Sequence, residues 1–321
     1  MEEKSATEFH IEVVTVENVR KHENADTLSI CSILGYTVIF RTGQFKEGDK
    51  AVYIPTDAVV PVHPRFSFIT DASGRPQRIK AKKLRGVFSM GILIENEGWE
   101  ENTDLAEILG IVKYESPEDR HFNGLSTKSQ SSYQPSCFHV QYGLEALRRI
   151  RNPFEENEEV VITEKIHGMN GRAVYTKDEF FVGSHRRWVK NSIWNTVAEQ
   201  HDLPNKLQNM KDHVFYFEVY GQVQRLQYGV EGATMAVFDI LDSKTGEYLS
   251  FDKMMEVCKD LNIPVVNVLY RGPFSKELPD QYADGKSTYA DHTREGCVVA
   301  STGEKRKKFK HVGQEYLLKI A

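Results

Sequence analysis

Short runs of alternating apolar residues, each closed by turn residues, succeed one another from Phe9 to Glu95. Leu28 to Leu34 (LSICSIL), Tyr36 to Arg41 (YTVIFR) and Lys50 to Pro55 (KAVYIP) are the clearest, and Gly35, KEGD and ASGRP mark turns. A period of two turns one face of each run toward a core, and several such strands at this spacing predict a small β-barrel or sandwich. A chain of 321 residues is long enough for a second domain besides.

From Glu158 onward the pattern is mixed. Strands are expected at EVVITEKI, RAVYT, EFFVGS, HVFYFEVYG, TMAVFDIL, VVNVLYR and GCVVA, and helices over Ser192 to His201 and Phe251 to Leu261. Strands adjoining hairpin turns, with helices inserted between them, indicate an α+β domain of antiparallel sheets. The stretch between the domains is polar at its centre, STKSQSSYQPS. It ends in GLEALRRIRNPF (Gly143 to Phe154), which predicts an amphipathic helix stopped by Pro153. The expected division is a β-domain over 1–105, a connecting segment over 106–156 and the α+β domain over 157–321.

Composition narrows the possible classes. A hydrophobic share of 40% and a charged share of 27% describe a soluble globular protein. No apolar run approaches the ~20 residues of a membrane span, and MEEKSATEFH lacks the order of a signal peptide, so an intracellular, cytoplasmic protein without membrane contact is expected. Four scattered cysteines imply neither a disulfide framework nor a zinc site, and the eleven histidines include no HExxH. A net charge of −5 argues against polyanion binding by the whole surface, leaving local patches to carry any such role. Arg78 to Arg85, RIKAKKLR, is one such patch with five cations, enough to engage several phosphates; Arg148, Arg149 and Arg151 form another. Such runs are more often plain solvated faces.

Lys165, in EKIHGMNGR, is by itself a cation at a strand end beside a glycine turn. Five further motifs, downstream at ordered distances, change its meaning. After KIHGMN (Lys165 to Asn170) come VGSHRR (Val182 to Arg187), FEVYG (Phe217 to Gly221), AVFDI (Ala236 to Ile240), EGCVV (Glu295 to Val299) and KKFK (Lys307 to Lys310). In this order the six elements resemble the covalent nucleotidyltransferases, the superfamily of ATP-dependent ligases and mRNA capping enzymes. His167 stands where DNA ligases and capping enzymes carry aspartate, a version typical of RNA ligases. HENADTLSIC (His22 to Cys31) and KLRGVFSMGIL (Lys83 to Leu93) resemble the opening and the closing strand of OB-fold tRNA-binding modules. Only eleven residues follow Lys310, and the β-domain comes first. That order resembles the RNA ligase family with an N-terminal OB module known from Deinococcus and Naegleria.

The resemblance implies an OB-like barrel followed by an adenylyltransferase domain. It implies sealing in three phosphoryl transfers: attack of Lys165 on ATP to give lysyl-AMP, transfer of AMP to a 5′-phosphate, and attack by an RNA 3′-hydroxyl. The expected partner is a nicked RNA or RNA/DNA duplex, and the expected state a monomer. Each transfer needs alignment and charge neutralisation. The first needs a neutral amine, and at a pKa of ~10.4 only roughly one lysine in a thousand is neutral near pH 7.4. Burial beside other cations or a metal is expected to lower that cost.

By the same resemblance Lys308 and Lys310 contact the α-phosphate. Period-two spacing puts them on one strand face, whereas their rival Lys307 shares the other with Phe309. Glu218 and Glu295 offer the hard oxygen ligands that Mg²⁺ or Mn²⁺ prefers. Phe238 stacks on adenine or belongs to the core. Arg186, or Arg187 beside it, is expected at ribose or the nucleic-acid end, and Glu164 at the nucleotide. Gly168 lets the backbone approach the ligand, His167 orders the loop, and Ile166, Asn170 and Arg172 complete the nucleotide site. Two other readings compete: a DNA ligase or capping guanylyltransferase, and a non-catalytic RNA-binding protein with an OB domain.

Overall fold

The computed structural model describes residues 9–69, 74–101, 103–114, 142–150, 152–184, 188–303 and 306–320. They fall into two compact units. The first takes in the described residues of Met1–Pro117, Ala146–Arg151 and Leu317–Ala321, the second those of Glu118–Glu145 and Asn152–Tyr316.

The first unit is built from short strands, as the alternation predicts. They are β1 (Glu12–Thr15), β2 (Glu17–Lys21), β3 (Leu28–Ile33), β4 (Tyr36–Arg41), β5 (Lys50–Ile54), β6 (Ala58–Val60), β7 (Gln77–Arg78), β8 (Lys82–Leu84), β9 (Val87–Ser89), β10 (Ile92–Glu95) and β11 (Val112–Lys113). All pairings are antiparallel, in the orders β1-β5-β10, β2-β3-β4, β11-β6-β7 and β8-β9. Strand β5 is buried on both faces. Ala51 and Tyr53 pack with Val14, Ile33 and Phe40, while Val52 and Ile54 pack with Ile11, Phe66 and Ile79. Leu105, Leu109 and Ile111 close the second of these cores.

The second unit has two antiparallel sheets. The strands are β12 (Glu159–Lys165), β13 (Met169–Thr176), β14 (Glu179–Ser184), β15 (His213–Gly221), β16 (Ala233–Asp242), β17 (Glu247–Tyr248), β18 (Val268–Pro273), β19 (Gly296–Ser301) and β20 (Lys308–Val312). One sheet runs β18-β12-β19-β20, the other β14-β13-β15-β16-β17. The helices are α1 (Ile193–Gln200), α2 (Leu203–Lys206), α3 (Phe251–Asp260) and α4 (Leu278–Ala283); α5 (Gln314–Ile320) starts in this unit, and its residues from Leu317 are counted with the first. Ser192 and Asn195 form a capping box that starts α1, and the Ser250 hydroxyl accepts the Lys253 N–H at the start of α3.

Period two sorts the five-stranded sheet. Ala173, Phe215, Phe217 and Val219 face the apolar sides of α1 and α3. Asn170, Arg172, Tyr216 and Glu218 therefore occupy the opposite face, which is turned to the four-stranded sheet.

Gly143 to Phe154 does not form the amphipathic helix its spacing predicts: a single 3₁₀ turn, Leu147–Arg149, is all the helix it contains among the described residues. The Lys310 N–H donates to the Glu145 carbonyl at 2.9 Å, so the free edge of β20 takes this backbone in extended form. Arg151 lies outside the described residues.

Candidate active site

Lys165 is the last residue of β12, and its amine donates to Glu295 Oε1 at 2.6 Å. Glu295 is brought there by β19, whose first residue, Gly296, pairs with Lys165. Glu218 faces the same amine from β15 and accepts the Gly168 N–H. The turn between Lys165 and β13 is confined. A Cβ on Gly168 would lie 2.3 Å from the Val219 carbonyl oxygen and 2.9 Å from Glu218 Cγ. The close approach that requires glycine is thus to β15 and Glu218, whereas the sequence alone assigns this glycine to the approach of a ligand.

One lysine is thus set between two carboxylates. Burial by itself disfavours its ammonium, but Glu295 and Glu218 outweigh burial and raise the Lys165 pKa. This corrects the expectation of a lysine depressed by neighbouring cations. Burial raises the Glu295 carboxyl, yet Lys165 and His167 prevail and hold it low. Glu218 takes the remaining strain: burial and the Glu295 charge, against the pull of Lys165, push it up to about 8.

The Glu218 shift yields a prediction. Its folded pKa lies above the ordinary 4.5, so between about pH 4.5 and 8 the folded state binds the extra proton and stability falls as pH rises. Gln keeps the shape of the protonated carboxyl without titrating. Glu218→Gln is expected to melt higher than wild type in metal-free buffer, by a margin that grows from pH 5 to pH 8 to the order of a few kcal/mol. A margin that is flat or shrinks with pH contradicts the shift.

The loop after Lys165 is held at both ends. The His167 N–H donates to the Tyr228 hydroxyl at 2.7 Å, and the Tyr316 hydroxyl lies 2.8 Å from His167 Nδ1. His167 Nδ1 is also 3.7 Å from Glu295 Oε2. Ile166 is buried with Tyr220, Tyr228 and Val266. Glu164 points the other way from Lys165: its carboxylate accepts from Ser287 Oγ at 2.5 Å and from the N–H and hydroxyl of Thr288, both at 2.7 Å. The structure therefore commits Glu164 to the loop that leads to Glu295.

Register fixes where the other lysines stand. Thr163 pairs with Val298 and Val298 with Lys310; Val161 pairs with Ala300 and Ala300 with Lys308. Lys165, Lys310 and Lys308 thus share one face of the four-stranded sheet. With strands ~4.8 Å apart and ~3.3 Å per residue, the Cα of Lys310 lies about 12 Å from that of Lys165 and the Cα of Lys308 about 16 Å. Lys307 faces elsewhere: its amine meets Glu158 at 2.8 Å and lies over Phe154, which also contacts Phe309.

Lys308 belongs to a second cluster. Between β15 and β16 the register passes from Tyr216 opposite Asp239 to Phe217 opposite Val237, leaving Phe238 as the extra residue of a bulge. The bulge brings two consecutive side chains to Tyr142: the Phe238 ring at 4.8 Å and Asp239 through the Tyr142 hydroxyl at 2.6 Å. The Lys308 amine donates to the Phe238 carbonyl at 2.7 Å and to Asp239 at 2.9 Å, and Arg306 pairs with Asp239 and lies over the Tyr248 ring. Burial lowers the Lys308 pKa, opposed by Asp239 and reinforced by Arg306.

Of the remaining expected residues, Asn170 sits opposite Glu218, with its Oδ1 buried and without a hydrogen-bond partner among the described residues. Arg172 is buried, its guanidinium 4.4 Å from the centre of the Trp188 ring. Arg186 and Arg187 lie outside the described residues. Sequence reasoning missed Tyr142, Tyr228, Asp239, Arg306 and Tyr316. Asp239 alone left a signal, a carboxylate inside the otherwise apolar AVFDI.

The two units together have the fold of a polynucleotide ligase. A Naegleria gruberi RNA ligase mutant with ATP and Mn superimposes with a TM-score of 0.83 at 21% identity, over 97% of this chain and 99% of the other. The same ligase with PPi gives 0.81 at 22% identity, over 98% and 99%, and a mutant with AMP and Mn gives 0.81 at 21%, over 97% and 99%. An OB-fold domain model matches residues 11–95. The RNA ligase model matches residues 158–320, about half of the chain, and the chain belongs to the RNA ligase family. No curated protein sequence is significantly similar to it. Among the described residues, no helix is long and apolar enough to cross a membrane.

Proposed function

We propose that this RNA ligase uses ATP to charge Lys165 with AMP, passes the AMP to a 5′-phosphate and joins that end to an RNA 3′-hydroxyl at nicks in duplexes. The observation that carries the reading is the Lys165 amine, 2.6 Å from Glu295 and facing Glu218, at the end of a strand. A buried lysine at a strand end becomes the nucleophile of a covalent transfer once its carboxylate partners are drawn to a cation. The two units divide the work accordingly: the N-terminal OB-like unit binds nucleic acid and the C-terminal unit carries out adenylylation.

Two partly buried carboxylates share a single lysine, and one of them is pushed up to about 8, so the pair has oxygen donors and negative charge in excess. That is a donor set a divalent cation fits. Glu218 and Glu295 would hold Mg²⁺ or Mn²⁺, which supplies positive charge against the transferring phosphoryl group. Burial alone lowers the Lys165 pKa, so the engagement of its two carboxylates decides when the amine becomes nucleophilic. Lys310, on the same face and the nearer of the two β20 lysines, meets the phosphoryl charge. Lys308 is oriented by Asp239, and Phe238 offers a ring for the base. Asn170 Oδ1, buried without a partner among the described residues, is set to receive a donor from substrate.

The test is incubation of the full chain with α-labelled ATP and Mn²⁺ or Mg²⁺, followed by nicked RNA. A covalent protein label that transfers to the 5′-phosphate end and then yields a sealed strand is expected. Absence of label with ATP, or label with GTP alone, overturns the reading.

A further inference from the structure

The two phrases that resemble OB tRNA-binding modules meet in space. His22 is 2% exposed; its Nδ1 accepts the Asn24 N–H at 3.0 Å, and its Nε2 lies 3.1 Å from the Leu84 carbonyl oxygen. A carbonyl only accepts, so His22 carries its proton on Nε2 and donates it to Leu84. Asn24 Nδ2 donates to the Arg85 carbonyl at 3.4 Å. The segment His22–Asn24 thus clamps the tip of the β8–β9 hairpin.

That tip is a two-residue turn with φ of 48° at Arg85 and 95° at Gly86. Left-handed geometry at both positions matches strand twist, and it suits Gly86 while straining Arg85. The clamp holds an arginine in a conformation it does not favour by itself.

The hairpin and the residues just before it carry Lys80, Lys82, Lys83 and Arg85, all exposed. Among the described residues none of the four has a carboxylate partner, whereas the acidic residues of the neighbouring loop are matched: Glu23 by Arg20 and Asp26 by Lys21. Four cations on and just before this hairpin, without a carboxylate partner among the described residues, stand out in a chain of net charge −5.

We propose that the β8–β9 hairpin, with Lys80, Lys82, Lys83 and Arg85, grips the phosphate backbone of the RNA substrate. The proposal rests on the RNA ligase reading and names where that substrate is held outside the adenylylation site. Phosphate contacts of this kind carry affinity and salt dependence without base readout.

The experiment measures binding of the full chain to a fluorescent nicked RNA duplex across a salt series, with α-labelled ATP adduct formation as a second readout. The triple variant Lys82→Gln, Lys83→Gln, Arg85→Gly removes three charges and relieves the strained turn. It is expected to bind on the order of tenfold or more weakly, with a salt slope shallower by about two to three, while the adduct forms at the wild-type level. A control triple, Lys244→Gln, Lys253→Gln, Lys259→Gln, changes net charge equally in the other unit and is expected to keep the wild-type slope. An unchanged slope in the hairpin variant, an equal loss in the control, or no RNA binding by wild type overturns the proposal. Loss of the adduct in wild type strikes the ligase reading instead.

Discussion

Lys165→Ala is expected to take up no label from α-labelled ATP, and to lose stability in a way that depends on pH. The amine is the atom to which AMP would be joined, so no other residue of the cluster substitutes for it. The stability effect comes from the two carboxylates it leaves behind. Glu295 is held low by Lys165 in spite of its burial, and without that cation both acids face each other in a confined site. Removing one partner of such a pair costs about 3–5 kcal/mol when the other stays charged. Protonation relieves the penalty, so the deficit against wild type is expected to be largest near pH 8 and to shrink toward pH 5. Denaturant unfolding at the two pH values measures it. Label retained by the variant would remove Lys165 from the mechanism, and a deficit independent of pH would remove the carboxylates from the explanation.

Asp239→Asn is expected to destabilise the second unit by about 3–5 kcal/mol at neutral pH. The carboxylate accepts from Tyr142, Arg306 and Lys308 together, and the substitution leaves the largely buried Lys308 beside the more exposed Arg306 without their counter-charge. Burial raises the Asp239 carboxyl, but Lys308 and Arg306 overcome it and hold the pKa below the usual value. A depressed carboxylate contributes stability above its unfolded pKa and loses it as pH falls through the folded one. Wild type and variant should therefore converge in acid, as thermal melts between pH 7 and pH 3 would reveal. Equal melting temperatures at pH 7 would show that the cluster contributes nothing.

What the sequence made legible was whatever period two governs. The strands of both units, the shared face of Lys308 and Lys310 and the exclusion of Lys307 all derive from parity along a strand. Parity fails at a bulge, and Phe238 with Asp239 shows how: one extra residue brings neighbours that should diverge to the same tyrosine, a contact no spacing rule contains. The helix expected over Gly143 to Phe154 failed for a related reason. Its periodicity was real, but an open strand edge offered its backbone partners that a sequence does not display. The direction of the Lys165 shift was hidden because it is decided by two glutamates 53 and 130 residues away in the chain, which only the fold assembles.

Glu164 has a consequence for the speed of the chemistry. It joins the strand that ends in Lys165 to Ser287 and Thr288, a few residues ahead of Glu295, so the amine and its carboxylate partner are parts of one braced frame. The conformational entropy of arranging them is lost once, during folding, and is not demanded again at each turnover. An amine and its carboxylate, once folded into place, need not be gathered again.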